Sequence, residues 1–143
     1  MKISFIVNIL ILIISVSVQS VLAKDNNFFE EGKELYEEKK YNDARFKFEQ
    51  DIVFNPKNEN SYLYLAKIFN KEKKSKLEED NLDTVILLNP KNEDAIFYLT
   101  QLSIKNSNFK KAEDLIIKFK IVCKKKCSKE KELTKKLNIL LKQ

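Results

Sequence analysis

The pentapeptide Asn55-Pro56-Lys57-Asn58-Glu59 returns 34 residues later as Asn89-Pro90-Lys91-Asn92-Glu93. A fixed displacement of that length belongs to stacked helix-turn-helix units, not to one closed globule. The period runs beyond the copied loop. Gly32, Ala66 and Thr100 share it and are all small, while Phe48, Leu82 and Ile116 share it and are all apolar. The repeat is therefore structural.

Two readings of the first 23 residues compete. Lys2 gives a positive start, Ile3 to Val18 carries no charge, and Val21-Leu22-Ala23 closes with small or medium residues, the pattern of a secretory signal peptide cleaved after Ala23. Yet 21 uncharged residues separate Lys2 from Lys24, close to the roughly 20 that cross a bilayer, and this fits a retained anchor. Under either reading Lys2 stays cytoplasmic and the remainder is exported, to the periplasm or beyond it. No cysteine lies near Ala23 to carry a lipoprotein anchor.

From Asp25 onward the pattern is helical. Phe28, Gly32 and Leu35 fall at i, i+4 and i+7, and Tyr41, Ala44, Phe48 and Ile52 resume the spacing after a polar break. Pro56 and Pro90 each follow an asparagine at the end of an apolar run, where proline denies the preceding residue the α conformation and stops the helix. Each unit is two helices and a stop.

At this point the chain resembles the tetratricopeptide repeat, a family of 34-residue helix pairs. The residues carrying the resemblance are Phe28, Gly32, Tyr41, Ala44, Phe48 and Pro56 in the first unit, Tyr62, Leu65, Ala66, Leu82 and Pro90 in the second, and Leu99, Phe109, Ala112 and Ile116 in the third. It implies an all-α, right-handed superhelical stack of antiparallel helix pairs. The expected units are 25–58, 59–92 and 93–126, followed by a capping helix over 128–143 that covers the last apolar face through Leu133, Leu137 and Leu140 or Leu141. Gly32 costs a helix about 1 kcal/mol relative to alanine. Close approach of the partner helix at Ala44 is the expected compensation.

The middle unit departs from the pattern. Ser75 and Glu78 stand where the first unit has Tyr41 and Ala44 and the third has Phe109 and Ala112, which predicts a loosely packed turn. Ser75-Lys76-Leu77-Glu78 reads locally as a capping box. In the third unit Lys124 replaces the proline, as suits an array about to end.

Few residues offer chemistry. The chain has no histidine, and no Gly-rich phosphate loop, G-x-S-x-G elbow or H-E-x-x-H motif. Its carboxylates lie among mixed charges that read as solvated helix faces. No catalytic residue, metal site or cofactor is expected. Cys123 and Cys127 are the two cysteines, and export permits a disulfide. One helical turn would fit its geometry poorly, whereas a turn before the last helix would allow it. Free thiols activated by the intervening lysines, or a metal or redox role, are the alternatives.

The basicity is terminal. Residues 118–143 hold 10 lysines against 2 glutamates, whereas residues 24–117 hold 16 basic and 19 acidic side chains. A solvated face explains such a run, as does attraction to an acidic partner or an anionic membrane surface. Export and the lack of interleaved aromatics argue against nucleic acid.

The resemblance implies a binding scaffold whose first helices line a concave groove for a peptide or a partner helix. Its lining would be Phe29, Lys33 and Tyr36 from the first unit, Leu63, Lys67, Asn70 and Lys71 from the second, and Phe97, Gln101 and Lys105 from the third. Phe29, Leu63 and Phe97 read equally well as core. The expected partner is another envelope protein or peptide, with four lysines leaning toward an acidic one. The rival is a membrane-surface protein held by a retained N-terminal helix and the lysine-rich end. Oligomeric state is left open.

Overall fold

The computed structural model describes residues 27–142, so the expectations for residues 1–23 lie outside the described residues. Among the described residues seven α-helices succeed one another: α1 (Phe28–Glu37), α2 (Tyr41–Phe54), α3 (Glu59–Lys71), α4 (Ser75–Leu88), α5 (Glu93–Lys105), α6 (Phe109–Val122) and α7 (Ser128–Leu140). Among the described residues there is no strand. The first six pack as antiparallel pairs, α1 with α2, α3 with α4 and α5 with α6, and the pairs stack into a right-handed superhelix. α7 lies against both α5 and α6.

Three turns within the pairs repeat one backbone geometry. Lys39, Lys73 and Ser107, again 34 residues apart, take left-handed φ values of 63°, 58° and 57°. Each sits just past a helix end where the next amide reaches back to satisfy a free carbonyl: Lys40 N to Leu35 O at 2.9 Å, Lys74 N to Phe69 O at 2.9 Å, Asn108 N to Ser103 O at 2.8 Å. This is the Schellman ending, usually built with glycine. Lysine and serine hold it here because the two helices joined by each turn are packed against each other.

The turns between pairs explain the pentapeptide. Asn58 accepts from Asn60 N at 3.2 Å and so caps α3, while its Nδ2 donates to Asp51 at 2.7 Å. Asn55 Nδ2 and Ser61 Oγ also donate to that buried carboxylate. In the second copy Asn92 caps α5 through Ala95 N at 3.0 Å, and Asn89 and Asn92 donate to Glu59 at 2.8 and 2.9 Å. Each asparagine pair thus stops one helix, starts the next and ties both to a carboxylate. Asparagine serves because its amide offers a donor and an acceptor at once.

The core runs along the stack as two clusters to which the two faces of α3 both contribute. Ala44 and Phe48 of α2 meet Leu65, Ile68 and Phe69 of α3, whose other face gives Leu63 and Ala66 to a second cluster. That cluster extends through α4, α5 and α6 to Leu133 and Leu137 of α7. α5 is buried on most sides, with Thr100 and Ser103 enclosed beside its apolar residues, as befits a helix covered by several neighbours. At the cap Leu140 packs inward, whereas Leu141 is exposed.

Two local expectations are corrected. Gly32 does face a close neighbour, but that neighbour is the Phe48 ring and not Ala44: a Cβ on Gly32 would come within 2.8 Å of Phe48 Cε1. The capping box does not form. α4 starts from Lys74 with no side-chain cap, and Glu78 turns inward to accept from Asn70 Nδ2 at 2.9 Å, so the turn expected to be loose is closed by a partly buried hydrogen bond.

The Phe48 ring cannot move aside, since it is fully buried and stacked on Tyr64 at 5.0 Å between centroids. Gly32→Leu should therefore lower stability by about 1–3 kcal/mol or more, the usual range for overpacking. Thermal unfolding of the two proteins checks this. An unchanged midpoint would mean that Gly32 is not at a tight contact.

Candidate functional site

The first helices of the three pairs converge on a cavity of about 270 Å³ lined by Tyr36 of α1, Lys67, Asn70 and Lys71 of α3, and Tyr98 of α5. Four of these five are sequence-expected groove residues. Tyr98 was missed, as were Tyr64 and Tyr41, which lie under Lys67 and Lys71. The signal for two of them was present, because Tyr64 and Tyr98 stand 34 residues apart.

Aromatic rings hold the lysines in place. Lys67 Nζ lies 4.6 Å from the Tyr64 ring centroid and 5.9 Å from that of Tyr98, and Lys71 Nζ lies 5.0 Å from that of Tyr41. Tyr36 packs edge-on against Tyr41 and Tyr64 at 5.3 and 5.1 Å. Burial pushes the Tyr36 hydroxyl above its ordinary pKa, helped by the neighbouring tyrosines, so it remains a neutral donor. Burial pulls the Lys67 ammonium below its ordinary value; Asp94 opposes that shift and Lys126 adds to it. Neither Lys67 nor Lys71 makes an ion pair within the described residues.

The remaining expected residues lie elsewhere. Leu63 and Phe97, at 6% and 8% exposure, belong to the core and have little surface to offer a ligand. Phe29 is half-buried and packs on Phe48 and Tyr64. Lys33 pairs with Glu30 one turn away at 3.5 Å. Gln101 is half-buried and Lys105 exposed, and neither lines the cavity. Among the described residues no three carboxylate or thiol side chains converge where a metal could sit.

Cys123 and Cys127 are joined by a disulfide, with Cα atoms 5.2 Å apart, in the turn between α6 and α7. Residues 123–127 stand 34 positions after the second pentapeptide and replace it. The tie survives by other means. Glu93, one period after Glu59, accepts from the backbone amides of Lys124 at 2.8 Å, Lys125 at 3.2 Å and Lys126 at 2.8 Å. Burial raises the Glu93 carboxyl, but these three amides and the Lys126 charge outweigh it and hold the group below the ordinary carboxylate range. Such a cluster of amides around one anion is a backbone nest.

No protein-family model matches the chain, and no curated protein matches it in sequence. Its fold does match solved structures. The type III secretion translocator chaperone SycD of Yersinia enterocolitica superposes with a TM-score of 0.76 at 12% identity, over 90% of this chain and 94% of that one. The TPR2B domain of yeast Sti1, solved in complex with pHsp70, gives 0.74 at 14% identity over 80% and 95%. The first TPR of Spaghetti (RPAP3), bound to the HSP90 peptide SRMEEVD, gives 0.71 at 17% identity over 80% and 90%. At these identities the likeness establishes the fold: an all-α solenoid of the tetratricopeptide-repeat type.

Asn70, on the cavity wall, owes its position to Glu78. That carboxylate is buried, and its Oε2 has no hydrogen-bond partner. Burial raises its pKa, against the lowering effects of Asn70 and Lys105. A raised folded pKa adds stability that is present below the unfolded value and lost as pH climbs through the folded one. Glu78→Gln should therefore raise the thermal midpoint at neutral pH. The advantage should shrink as the pH falls below the Glu78 pKa, and a pH-independent difference would count against this account.

Proposed function

We propose that the protein is a non-catalytic adaptor that takes a peptide or helix of another protein on the face built by α1, α3 and α5. The observation that carries this reading is the convergence of Tyr36, Lys67, Asn70, Lys71 and Tyr98 from three successive first helices on one cavity. Lys67 is already partly desolvated and braced between two tyrosine rings, so an incoming anion meets a cation whose ordering cost is largely met by the fold. The tyrosines add hydrogen-bond donors and flat apolar area. An acidic segment suits this lining best.

The similar structures support a peptide partner, since Spaghetti (RPAP3) was solved with an HSP90 peptide and the Sti1 domain with pHsp70. The first 23 residues support export, with the periplasm or cell envelope as the place of action. The partner would then be an envelope protein.

Lys67→Ala together with Lys71→Ala should weaken capture of that partner from envelope extract and flatten its salt dependence. Stability should fall only modestly, because neither lysine has an ion partner and the ring contacts given up are worth about 0.5–1 kcal/mol each. Removing residues 129–143 is the contrasting variant: it strips Leu133 and Leu137 from the last pair and should lower the unfolding midpoint. Capture untouched by the double alanine change but abolished by charge reversal at Lys124, Lys125 and Lys126 would move the site to the basic end.

A further inference from the structure

A second surface lies apart from the cavity, at the turns between pairs. Val53, Leu87 and Ile121 share the 34-residue register, lie at the ends of α2, α4 and α6, and are 74%, 80% and 78% exposed. Each is followed four residues later by an exposed lysine: Lys57, Lys91 and Lys125. The carboxylate ties set the three segments side by side, since Glu59 beside the first turn holds Asn89 and Asn92 of the second, and Glu93 beside the second holds the amides of the third. An outward row of large apolar tips alternating with lysines therefore runs along one edge of the stack.

Packing does not account for this row. A single exposed leucine is ordinary, but these three recur at one repeat position and none belongs to either core cluster. The acids of the edge are engaged from within: Glu59 by two asparagines, Glu93 by three amides and Asp94 by Lys126. Lys57, Lys91, Lys124 and Lys125 make no ion pair among the described residues, so the edge stays cationic.

We propose that this edge docks on the surface of an anionic lipid bilayer. Apolar side chains enter the headgroup boundary while lysines meet the acidic headgroups, the two attractions that together hold a protein at such a surface. A second copy suits the edge less well, because a two-fold contact sets the same patch on both partners and brings lysine rows together. The proposal is independent of the peptide-binding reading. The cavity shares no lining residue with the row.

The chain contains no tryptophan, so a single reporter can be placed in the full-length protein. Leu87→Trp emission should shift to the blue with phosphatidylglycerol vesicles and not with phosphatidylcholine vesicles, and salt should reverse the shift. Tyr98→Trp, in the cavity, should not respond. Adding Lys57→Glu and Lys91→Glu to the Leu87→Trp protein should abolish the shift even though residues 1–23 are unchanged. Four results would overturn the proposal: no shift with phosphatidylglycerol, an equal shift with phosphatidylcholine, a shift that survives charge reversal, or one that grows with protein concentration in the absence of vesicles. The last would assign the edge to a second copy.

Discussion

The carboxylate at the head of a pair's first helix, bound by the turn that follows that pair, is the interaction on which the register of this molecule depends. Glu59 at the start of α3 reaches the turn after α4, and Glu93 at the start of α5 reaches the turn after α6. Apolar burial drives the pairs together, but it is non-directional and would tolerate sliding. A carboxylate with two or three donors of fixed position does not. In the last turn the chemistry of the tie changes while its place does not: two asparagine amides give way to three backbone amides in a loop closed by Cys123 and Cys127. Asp51 performs a related task inside the first turn, fully buried and supplied with donors by Asn55, Asn58 and Ser61.

Fixed register is what makes a surface out of separate helices. Tyr36, Lys67 and Tyr98 come from three helices and meet only because successive pairs are held at one offset. The same offset aligns Val53, Leu87 and Ile121 on the edge. The cavity also has a stability cost, visible in the half-buried Lys67 and in the buried Glu78 that positions Asn70. Repeat arrays can carry such local costs because each pair is stabilised by its neighbours.

Much of this was legible in the sequence because a 34-residue period reports helix pairs, their stops and their small-residue positions. The resemblance to the tetratricopeptide repeat, not the period itself, pointed to Lys67, Asn70 and Lys71 as groove residues. What it could not report was conformation bought by context. Lys39, Lys73 and Ser107 adopt left-handed backbone where glycine would normally mark the turn, so nothing in their side chains signals it. Gly32 was matched to the small residue Ala44, but in the fold it makes room for a large one, Phe48. Ser75-Lys76-Leu77-Glu78 satisfies a local capping rule, yet Asn70 claims the Glu78 carboxylate from the preceding helix. Leu63 and Phe97 share a repeat position whose side chain enters the core, and sequence spacing alone left core and groove undecided there.

The tie itself can be measured. A double-mutant cycle between Glu59→Ala and Asn92→Ala, read by denaturant unfolding, separates their mutual interaction from the loss of the Asn92 helix cap, which enters both Asn92→Ala edges of the cycle alike and cancels. A shared hydrogen-bond network should give a coupling of about 0.5–3 kcal/mol, the range for residues that act together. A coupling of zero, with the two single losses simply adding, would contradict the account and leave apolar packing alone to set the register.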